Sequence, residues 1–240
     1  MNLKLTDSSD AIFHTIQGEG KFVGYPSTFV RLSQCNLRCQ WKNPDGSFTR
    51  CDTPHTSFDP VKVDHDVKDI LTKIKYDHVV VTGGEPFFQK GVVDLIKGLR
   101  DNGHYVTVET NGTIFRENQA QFISISPKLS SSSMCPDNGK RHEKNRININ
   151  NLSKFVLFHK YQFKFVVNDK DDILEIEDIA DQIMKHCGED IHPHIWLMPQ
   201  GTSQAQFDEK MGWIAEVCKE KQWKLTDRLH VRIWGAKKGV

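Results

Sequence analysis

Apolar and polar positions alternate along the chain with two periods, one typical of strands and one typical of helices. The short apolar runs that favour strands are STFVRLS, HVVVTGG, HYVTVETNG, QFISISPK, YQFKFVVND, HIWLMPQG and RLHVRIW. Between them lie amphipathic runs that favour helices: DVKDILTKIK, KGVVDLIKGLRDNG, DILEIEDIADQIMKHCG and QFDEKMGWIAEVCKEKQW. Strands separated by helices of this length predict right-handed crossovers and an α/β fold with mostly parallel strands.

Distinctive polar residues follow several of these predicted strands, in the segments TGGEP, ETNG, SPK and MPQG. The carboxyl ends of parallel strands meet at one edge of a sheet or barrel, and ligands bind at that edge. We therefore expect these segments to surround a single site, as they do in an enzyme.

Length and composition add limits to this picture. The chain has 240 residues, of which 38% are hydrophobic and 26% charged, and its net charge is +1. These values predict one globular domain over residues 1–240 and give no reason to expect direct binding to nucleic acid. The segment 129–151, rich in serine, asparagine and charge, is predicted to be a long loop or lid rather than a linker.

The polar N-terminus is not a signal peptide and no apolar run is long enough to cross a membrane, so we expect a cytoplasmic protein. Cysteines in a reducing compartment are more often ligands or catalysts than disulfide partners. Three of the six cysteines crowd into residues 31–53, namely Cys35, Cys39 and Cys51. The others are interpreted as ordinary buried or free thiols: Cys135, Cys187 and Cys218.

Three kinds of site fit the cysteine triad on spacing alone. A structural zinc site needs a fourth ligand, which His55 could supply. A disulfide with one spare thiol is a second alternative. A 4Fe–4S cluster bound by three thiolates is the third, and it leaves one iron open for an external ligand.

The polar insert Lys42–Arg50 separates the second thiol from the third. Its NPDGS sequence is typical of a turn. A turn reverses the direction of the chain, so the two ends of the insert can lie close together. Cys51 can then still lie beside Cys39.

The residues around the triad resemble a known enzyme superfamily. CNLRCQW…CDT follows a predicted strand, and VTGGEP ends the next strand after a helix. This arrangement resembles the radical S-adenosylmethionine enzymes, which carry CxxxCxxC after the first strand and a GGEP-like motif after the second. Without residues 42–50 the sequence would read CNLRCQWCDT, the usual form of that signature.

Both ends of the chain narrow the resemblance to one family. AIFHTIQGEGKFVGYPSTFVRLSQCNLRC is similar to the start of the 7-carboxy-7-deazaguanine synthases, and LHVRIWGAKKGV is similar to their terminus. The resemblance spans nearly the whole chain, and it is weakest at residues 129–151, which match nothing.

The resemblance implies a fold, an activity and a set of cofactors. The fold is a partial (β/α) barrel, and the activity is the radical ring contraction of 6-carboxy-5,6,7,8-tetrahydropterin to 7-carboxy-7-deazaguanine with loss of ammonia. The product feeds a 7-deazapurine (queuosine-type) pathway. The cofactors are a 4Fe–4S cluster, S-adenosylmethionine and Mg²⁺. The implied partners are a second copy of the chain, in a homodimer, and an electron donor such as flavodoxin or ferredoxin.

On this resemblance, Cys35, Cys39 and Cys51 bind the cluster, and its open iron binds the amino and carboxylate groups of S-adenosylmethionine. Cleavage of the cofactor gives a 5′-deoxyadenosyl radical that takes hydrogen from C6 of the pterin. The protein positions and shields these groups.

Further residues are expected to contact the cofactor. Gly83 and Gly84 would let the backbone approach it, and Glu85 would accept hydrogen bonds from its ammonium group. Trp41 would line the adenine side, although a core tryptophan fits nearly as well. The resemblance adds Ser126, Pro127, Lys128, Met198, Pro199, Gln200 and Gly201, and also Thr110 and Asn111, for which a plain strand-to-helix turn is an equal alternative.

Another group is expected to bind the substrate and magnesium. Arg31 would form a bidentate pair with the substrate carboxylate, and Thr53 would coordinate Mg²⁺ through its hydroxyl. The amide and carboxylate groups of IQGEG suit the edge of a pterin. The implied substrate residues besides Arg31 are Gln17, Gly18, Glu19, Thr82, His230 and the terminal carboxylate of Val240.

Two alternative functions stay open on the sequence. A glycyl-radical-activating enzyme also uses a compact CxxxCxxC scaffold, but it would lack IQGEG and would consume S-adenosylmethionine. A zinc-stabilised binding protein without a reaction is the alternative from a different class.

Overall fold

A ten-stranded sheet forms the centre of the computed structural model, which describes residues 2–7, 10–43, 45–134, 139–235, 237 and 239–240. The strands are β1 Asn2–Leu5, β2 Ile12–Ile16, β3 Pro26–Leu32, β4 Gln40–Lys42, β5 Phe48–Arg50, β6 Val63–Asp66, β7 His78–Gly83, β8 Tyr105–Thr110, β9 Phe122–Ile125, β10 Tyr161–Val167, β11 Ile195–Pro199 and β12 Lys224–Leu225. Strands β4 and β5 form a separate hairpin.

The large sheet is parallel except at one edge. Its order is β12-β11-β10-β9-β8-β7-β3-β1-β6, with β2 also paired to β3. All pairs from β3 to β12 along this order are parallel, whereas β1, β2 and β6 pair antiparallel. The prediction of an α/β fold with mostly parallel strands is confirmed, and the carboxyl ends of the parallel strands share one edge.

Helices follow most of the parallel strands. They are α1 Pro54–Ser57, α2 Val67–Leu71, α3 Val92–Asp101, α4 Gly139–Asn145, α5 Ile149–Phe158, α6 Asp171–Cys187, α7 Gln204–Lys221 and α8 Leu229–Trp234. Short 3₁₀ turns occur at Gly20–Phe22, Pro86–Phe88, Ser130–Ser132 and His192–His194. None of the described helices is long and apolar enough to cross a membrane.

The buried strand β7 shows how the sheet separates two apolar layers. Val79 and Val81 pack in the main core with the buried faces of the helices. Val80 points the other way and packs with Phe13 and Phe29. A continuous apolar run is therefore explained by burial on both faces, as expected for a parallel strand covered by helices.

The predicted final strand RLHVRIW is wrong. Residues Leu229–Trp234 form helix α8, and the last strand is the two-residue β12 before it. A short apolar run fits either period, so sequence alone did not separate the alternatives. The helix begins where the Leu229 N–H donates to the Gly18 carbonyl oxygen (2.9 Å), a contact between distant segments.

The prediction of a long loop over residues 129–151 is also wrong, because this segment contains a 3₁₀ turn, helix α4 and the start of α5. Its serine and asparagine residues act partly as helix caps: the Asn148 side chain accepts a hydrogen bond from the Asn151 N–H (3.0 Å) at the start of α5. Cys135 lies outside the described residues.

Candidate active site

A cavity of about 390 Å³ lies at the carboxyl edge of the parallel strands. Segments that follow β3, β7, β8, β9 and β11 contribute to its wall, as the sequence predicts. Predicted site residues on the wall are Gln17, Gly18, Glu19, Arg31, Cys35, Cys39, Trp41, Cys51, Thr53, Thr82, Gly83, Gly84, Thr110, Asn111, Ser126, Lys128, Met198, Gln200, Gly201, His230 and Val240.

The three clustered thiols all face this cavity. Cys35 and Cys39 lie on the loop after β3, and the Leu37 N–H points at the Cys35 Sγ (3.4 Å). Cys51 comes next to Cys39 because the Cys51 N–H donates to the Cys39 carbonyl oxygen (3.0 Å). Lys128 supplies a cation whose charge lowers the pKa of each thiol.

Burial nevertheless keeps these thiols protonated in the absence of a metal. It raises the pKa of Cys35 to about 12 and also raises those of Cys39 and Cys51. Iron binding deprotonates its thiol ligands and removes this cost, because the metal supplies positive charge that the protein lacks. A buried three-thiol set with one nearby lysine therefore fits a metal cluster.

The same geometry argues against a mononuclear zinc site. His55, the candidate fourth ligand, has its Nε2 2.8 Å from Asp10 Oδ2. No group of three histidine, cysteine or acidic side chains among the described residues converges closely enough to hold a single ion. A 4Fe–4S cluster has separate irons for separate thiolates, so it does not need such convergence.

The insert between the second and third thiols is the hairpin of β4 and β5. Gln40 pairs with Arg50 and Lys42 with Phe48, and Gly46 adopts a positive φ of 84° at the turn. The prediction that the insert reverses direction through a turn and brings its two ends together is confirmed. Arg50 also lines the cavity.

Gly83 and Gly84 are required by the backbone of the loop after β3. A Cβ atom at Gly83, where φ is +134°, would lie 1.9 Å from the Leu32 carbonyl oxygen. A Cβ atom at Gly84 would lie 2.1 Å from the Gln34 carbonyl oxygen. The glycines therefore let the end of β7 pack directly on the loop that begins with Cys35.

Glu85 does not reach the cavity wall, in contrast to Gly83 and Gly84 of the same motif. Its side chain is fully buried, and Oε1 accepts from the Thr110 hydroxyl (2.7 Å) and the Phe87 N–H (3.1 Å). Oε2 accepts from the Asn111 N–H (2.7 Å). Burial raises the pKa of Glu85 to about 7, although these donors oppose the rise. The carboxyl group thus ties the end of β7 to the end of β8.

The remaining predicted cofactor loops lie on the wall with some exceptions. Lys128 Nζ donates to Ser126 Oγ (2.8 Å) beside the thiols. Gln200 is fixed by helix α7, because Lys210 Nζ donates to the Gln200 backbone oxygen (2.9 Å). Pro127 and Pro199 do not line the cavity. Trp41 lines it and also packs with Leu37 and Cys39, so both interpretations of this tryptophan agree with its place.

Glu19 of the IQGEG segment binds two cations. Lys164 pairs with its Oε2, and Arg228 Nε lies 3.0 Å from its Oε1. Burial alone would raise the pKa of Glu19, but Lys164 and Arg228 hold it well below its ordinary value. The carboxylate is therefore an anion at neutral pH.

A second acidic group joins the same network. Glu109 accepts hydrogen bonds from Gln17 Nε2 (3.1 Å) and Thr82 Oγ1 (2.8 Å), and Lys164 Nζ lies 3.9 Å from its Oε1. The network links the N-terminal segment with strands β7, β8 and β10 across the cavity.

Arg31 has an incomplete set of partners. Its Nε lies 3.7 Å from Asp10 Oδ2, too far for a hydrogen bond, and it has no other hydrogen-bond partner. The guanidinium also lies over the Phe13 ring, 5.1 Å from its centroid. This half-buried guanidinium on the cavity wall can therefore bind an anionic ligand.

The C-terminal segment closes the cavity. His230 packs so closely on Gly18 that a Cβ atom there would lie 2.1 Å from His230 Nδ1. Burial lowers the pKa of His230, which favours the neutral imidazole. Val240 also lines the cavity, as predicted.

Thr53 lies beside the third thiol. Its Oγ1 forms a hydrogen bond with Cys51 Sγ (3.4 Å), and its hydroxyl does not cap helix α1, which begins at the next residue. A hydroxyl oxygen has two lone pairs, so Oγ1 can still accept a ligand from the cavity.

Sequence reasoning missed several charged residues of the wall. Lys164 carried a usable signal, because a lysine within the apolar strand YQFKFVV must find a buried partner. Asp52 and Glu109 lie within the CDT and ETNG segments, which had already been singled out. Asp10 and Arg228 have only tertiary signals.

Comparisons with known proteins identify the family of the chain. A 7-carboxy-7-deazaguanine synthase of Halobacterium salinarum is 37% identical over 236 residues, covering 93% of this chain and 88% of that protein. One of Rhodopirellula baltica is 35% identical over 236 residues, covering 95% and 86%. The chain belongs to the 7-carboxy-7-deazaguanine synthase family. No family model matches it.

Structural similarity supports the same fold. The crystal structure of QueE from Escherichia coli superposes with a TM-score of 0.69 and 24% identity, covering 96% of this chain and 95% of that one. Members of the 7-carboxy-7-deazaguanine synthase family are radical S-adenosylmethionine enzymes, a class that uses a 4Fe–4S cluster and S-adenosylmethionine. The resemblance found in the sequence is confirmed.

Proposed function

We propose that this chain converts 6-carboxy-5,6,7,8-tetrahydropterin to 7-carboxy-7-deazaguanine with release of ammonia. One observation carries the proposal beyond family membership. A single cavity contains the three-thiol loop on one side and the paired charges of Glu19, Lys164 and Arg228 on the other. A cofactor-derived radical and a polar heterocycle could therefore meet inside one protected space.

In this proposal Cys35, Cys39 and Cys51 hold the 4Fe–4S cluster. The bound cluster and S-adenosylmethionine supply the radical that starts the reaction. The protein shields that chemistry, since Trp41 and Leu37 pack around Cys39 and exclude water from it. The loops Ser126–Lys128 and Met198–Gly201, with Thr110, Asn111, Gly83 and Gly84, form the cofactor side of the cavity.

Substrate recognition is assigned to the opposite side. Arg31 binds the substrate carboxylate, because it is a half-buried cation on the wall whose Nε has no hydrogen-bond partner. Glu19 is a fixed anion that accepts hydrogen bonds from the N–H groups of the pterin edge. Gln17, Gly18, Thr82, His230 and Val240 complete this side, and each lines the same cavity.

Magnesium is assigned to the hydroxyl of Thr53. Magnesium keeps few protein ligands and takes others from water and substrate. The Thr53 hydroxyl faces the cavity next to Cys51 and is not used as a helix cap. A substrate-bridging ion can therefore reach it.

Partners and compartment follow from the same chemistry. The cluster needs an electron donor, and flavodoxin or ferredoxin belongs to the class that can deliver single electrons. The described cysteines form no disulfide, which suits a reducing compartment such as the cytoplasm. A homodimer is the oligomeric state that the family suggests.

The experiment uses protein reconstituted anaerobically with iron and sulfide. The proposal predicts a brown protein. With the carboxylated pterin, S-adenosylmethionine, a reductant and Mg²⁺, it should form more moles of 7-carboxy-7-deazaguanine than the moles of S-adenosylmethionine supplied. Consumption of S-adenosylmethionine without formation of 7-carboxy-7-deazaguanine would point to an activating enzyme. A colourless protein after reconstitution would contradict the proposal.

A further inference from the structure

Within the segment 129–151 that matches no motif, residues 129–134 and 139–145 pack against the loop that carries Cys35 and Cys39. The Met134 N–H donates to the Gln40 carbonyl oxygen (3.0 Å). Ser133 and Gln40 also pair through their backbones as an isolated parallel β-bridge. The core of this contact is the imidazole of His142 on helix α4, which is 2% exposed.

His142 binds the backbone of the thiol loop directly. The Arg38 N–H donates to His142 Nδ1 (3.1 Å), and Arg38 directly precedes Cys39. The Arg38 side chain fixes the same loop from within, since its Nη1 donates to the carbonyl oxygens of Cys35 and Leu37 (both 2.8 Å). At Arg38 the loop is therefore held by one hydrogen bond from helix α4 and by two from the Arg38 side chain itself.

The hydrogen bonds fix the tautomer of His142. A backbone N–H can only donate, so Nδ1 must be the acceptor and Nε2 must carry the proton. Nε2 lies 3.2 Å from Ser132 Oγ, and the Ser132 hydroxyl donates to the Leu129 carbonyl oxygen (2.6 Å). Burial lowers the pKa of His142 to about 4, which keeps the imidazole neutral at physiological pH.

The Arg38 N–H has no other acceptor in the described structure. If His142 Nδ1 were removed, this donor would be left unpaired in a half-buried loop, and the loop would rearrange to satisfy it. Hydrogen bonds around a metal site orient its ligands and change its affinity for metal.

We propose that His142 is a positioning residue of the cluster: its Nδ1 accepts the Arg38 N–H and holds the Cys35–Cys39 loop in the geometry that retains iron. The proposal rests on the cluster assigned above to the three cysteines. It gives the unmatched segment a role that is separate from substrate binding.

Three variants of His142 separate the hydrogen bond from the volume of the ring. The Oδ1 of His142→Asn is bonded to Cγ as Nδ1 is, so it can still accept from Arg38. The side chain of His142→Gln reaches the Nε2 position and can replace only the contact with Ser132. His142→Leu removes both contacts.

The measurement is the rate at which each anaerobically reconstituted holoprotein loses iron to a chelator, together with the electron paramagnetic resonance spectrum of the reduced cluster. We expect the rate of iron loss from His142→Asn to be within about twofold of the rate for the unaltered protein. His142→Gln and His142→Leu should lose iron about tenfold faster than the unaltered protein. The spectra of the last two should broaden as the ligand geometry becomes heterogeneous.

His78 provides a matched control. It is also buried, its pKa is also lowered to about 4 by burial, and it contacts Ser27 Oγ (2.7 Å) and Thr107 Oγ1 (2.9 Å). It lies at the amino end of β7, away from the thiol loop. His78→Leu should lower thermal stability while iron loss stays slow.

Three results would overturn the inference. The first is equal iron loss from the Asn and Leu variants, and the second is slow loss from the Gln variant. The third is equally fast loss from His78→Leu and His142→Leu at equal melting temperature. If His142→Leu does not fold, the Asn and Gln variants decide. A colourless unaltered protein would instead refute the cluster itself, so the two failures are distinguishable.

Discussion

Two glutamates at the same edge of the sheet have opposite electrostatic environments. Glu85 is fully buried among neutral donors, and its pKa rises to about 7. The Glu19 side chain is 13% exposed and lies between Lys164 and Arg228, which hold its pKa well below the ordinary value. Burial penalises both carboxylates, and only the cations reverse the outcome.

The difference assigns different tasks to the two groups. Glu85 joins the ends of β7 and β8 through Thr110, Phe87 and Asn111, so it serves the shape of the site. Glu19 is a permanent anion on the cavity wall, so it can act on a ligand. Glu85 and Glu19 are the same type of residue, so their different roles come from their neighbours.

Removal of the Lys164 ammonium should have the largest effect. Lys164→Met leaves the Glu19 carboxylate with one cation in place of two, and breaking such a buried pair costs about 3–5 kcal/mol of folding free energy. Urea unfolding measures this loss. The double variant Lys164→Met with Glu19→Gln should recover part of it, because the side chain that lost one of its two cations is then neutral. An unchanged free energy of unfolding in Lys164→Met would show that the pair is not formed.

Glu19→Gln should next weaken the reaction itself. Loss of a charge-assisted hydrogen bond to the substrate costs about 1.5–3 kcal/mol, equivalent to about 10- to 100-fold in kcat/KM. Iron content should stay unchanged, because Glu19 is not part of the thiol loop. Steady-state kinetics with the carboxylated pterin checks the first expectation and iron analysis the second. Full activity in this variant would remove Glu19 from the substrate side.

The pH dependence of stability should sharpen the contrast between the glutamates. The folded chain raises the pKa of Glu85 from 4.5 to about 7, so folded protein binds more protons than unfolded protein between these pH values. The stabilisation that Glu85 contributes is therefore present below pH 4.5 and is lost as the pH rises through about 7. Glu19 behaves in the opposite way, because its contribution is lost as the pH falls below its ordinary pKa.

Glu85→Gln isolates this contribution. Between pH 5 and pH 8 the unaltered chain should lose about 2–3 kcal/mol of unfolding free energy relative to the variant. Urea unfolding of the apoprotein at both pH values measures the difference. Parallel curves for the two proteins would mean that Glu85 does not titrate in this range.

The smallest effect is expected from excision of the hairpin, residues 42–50. The Cys51 N–H already bonds to the Cys39 carbonyl oxygen, and after excision the same bond would close a four-residue β-turn. Iron per chain should therefore stay unchanged. Activity should fall modestly, because Thr49 and Arg50 line the cavity. Loss of the cluster would show that the hairpin shapes the thiol loop.

Much of this molecule was predictable from local patterns. The buried strand HVVVTGG and the glycines after it needed only apolar runs and backbone sterics, and the turn in residues 42–50 followed from its NPDGS sequence. The thiol loop and the residues on the cavity wall were placed by family resemblance. Partners distant in sequence were not predictable: Glu19 meets Arg228 and Asp10 meets His55 only after folding.

Two errors have the same physical origin. LHVRIW alternates as a strand does, but its tertiary contact with Gly18 favours a helix. The polar segment 129–151 was interpreted as a loop, yet Arg146 binds Glu143 and Glu175 and fixes it to α6. Polar residues can form regular structure when groups distant in the sequence complete their hydrogen bonds. The local sequence contains no pattern that reveals those distant partners.

The central claim is that the radical source and the pterin pocket share one cavity. Substrate deuterated at C6 tests it most directly, in an anaerobic reaction with reconstituted protein, S-adenosylmethionine and a reductant. We predict deuterium in the 5′ position of the recovered cofactor or 5′-deoxyadenosine, together with 7-carboxy-7-deazaguanine. Cofactor cleavage without deuterium transfer would contradict the claim.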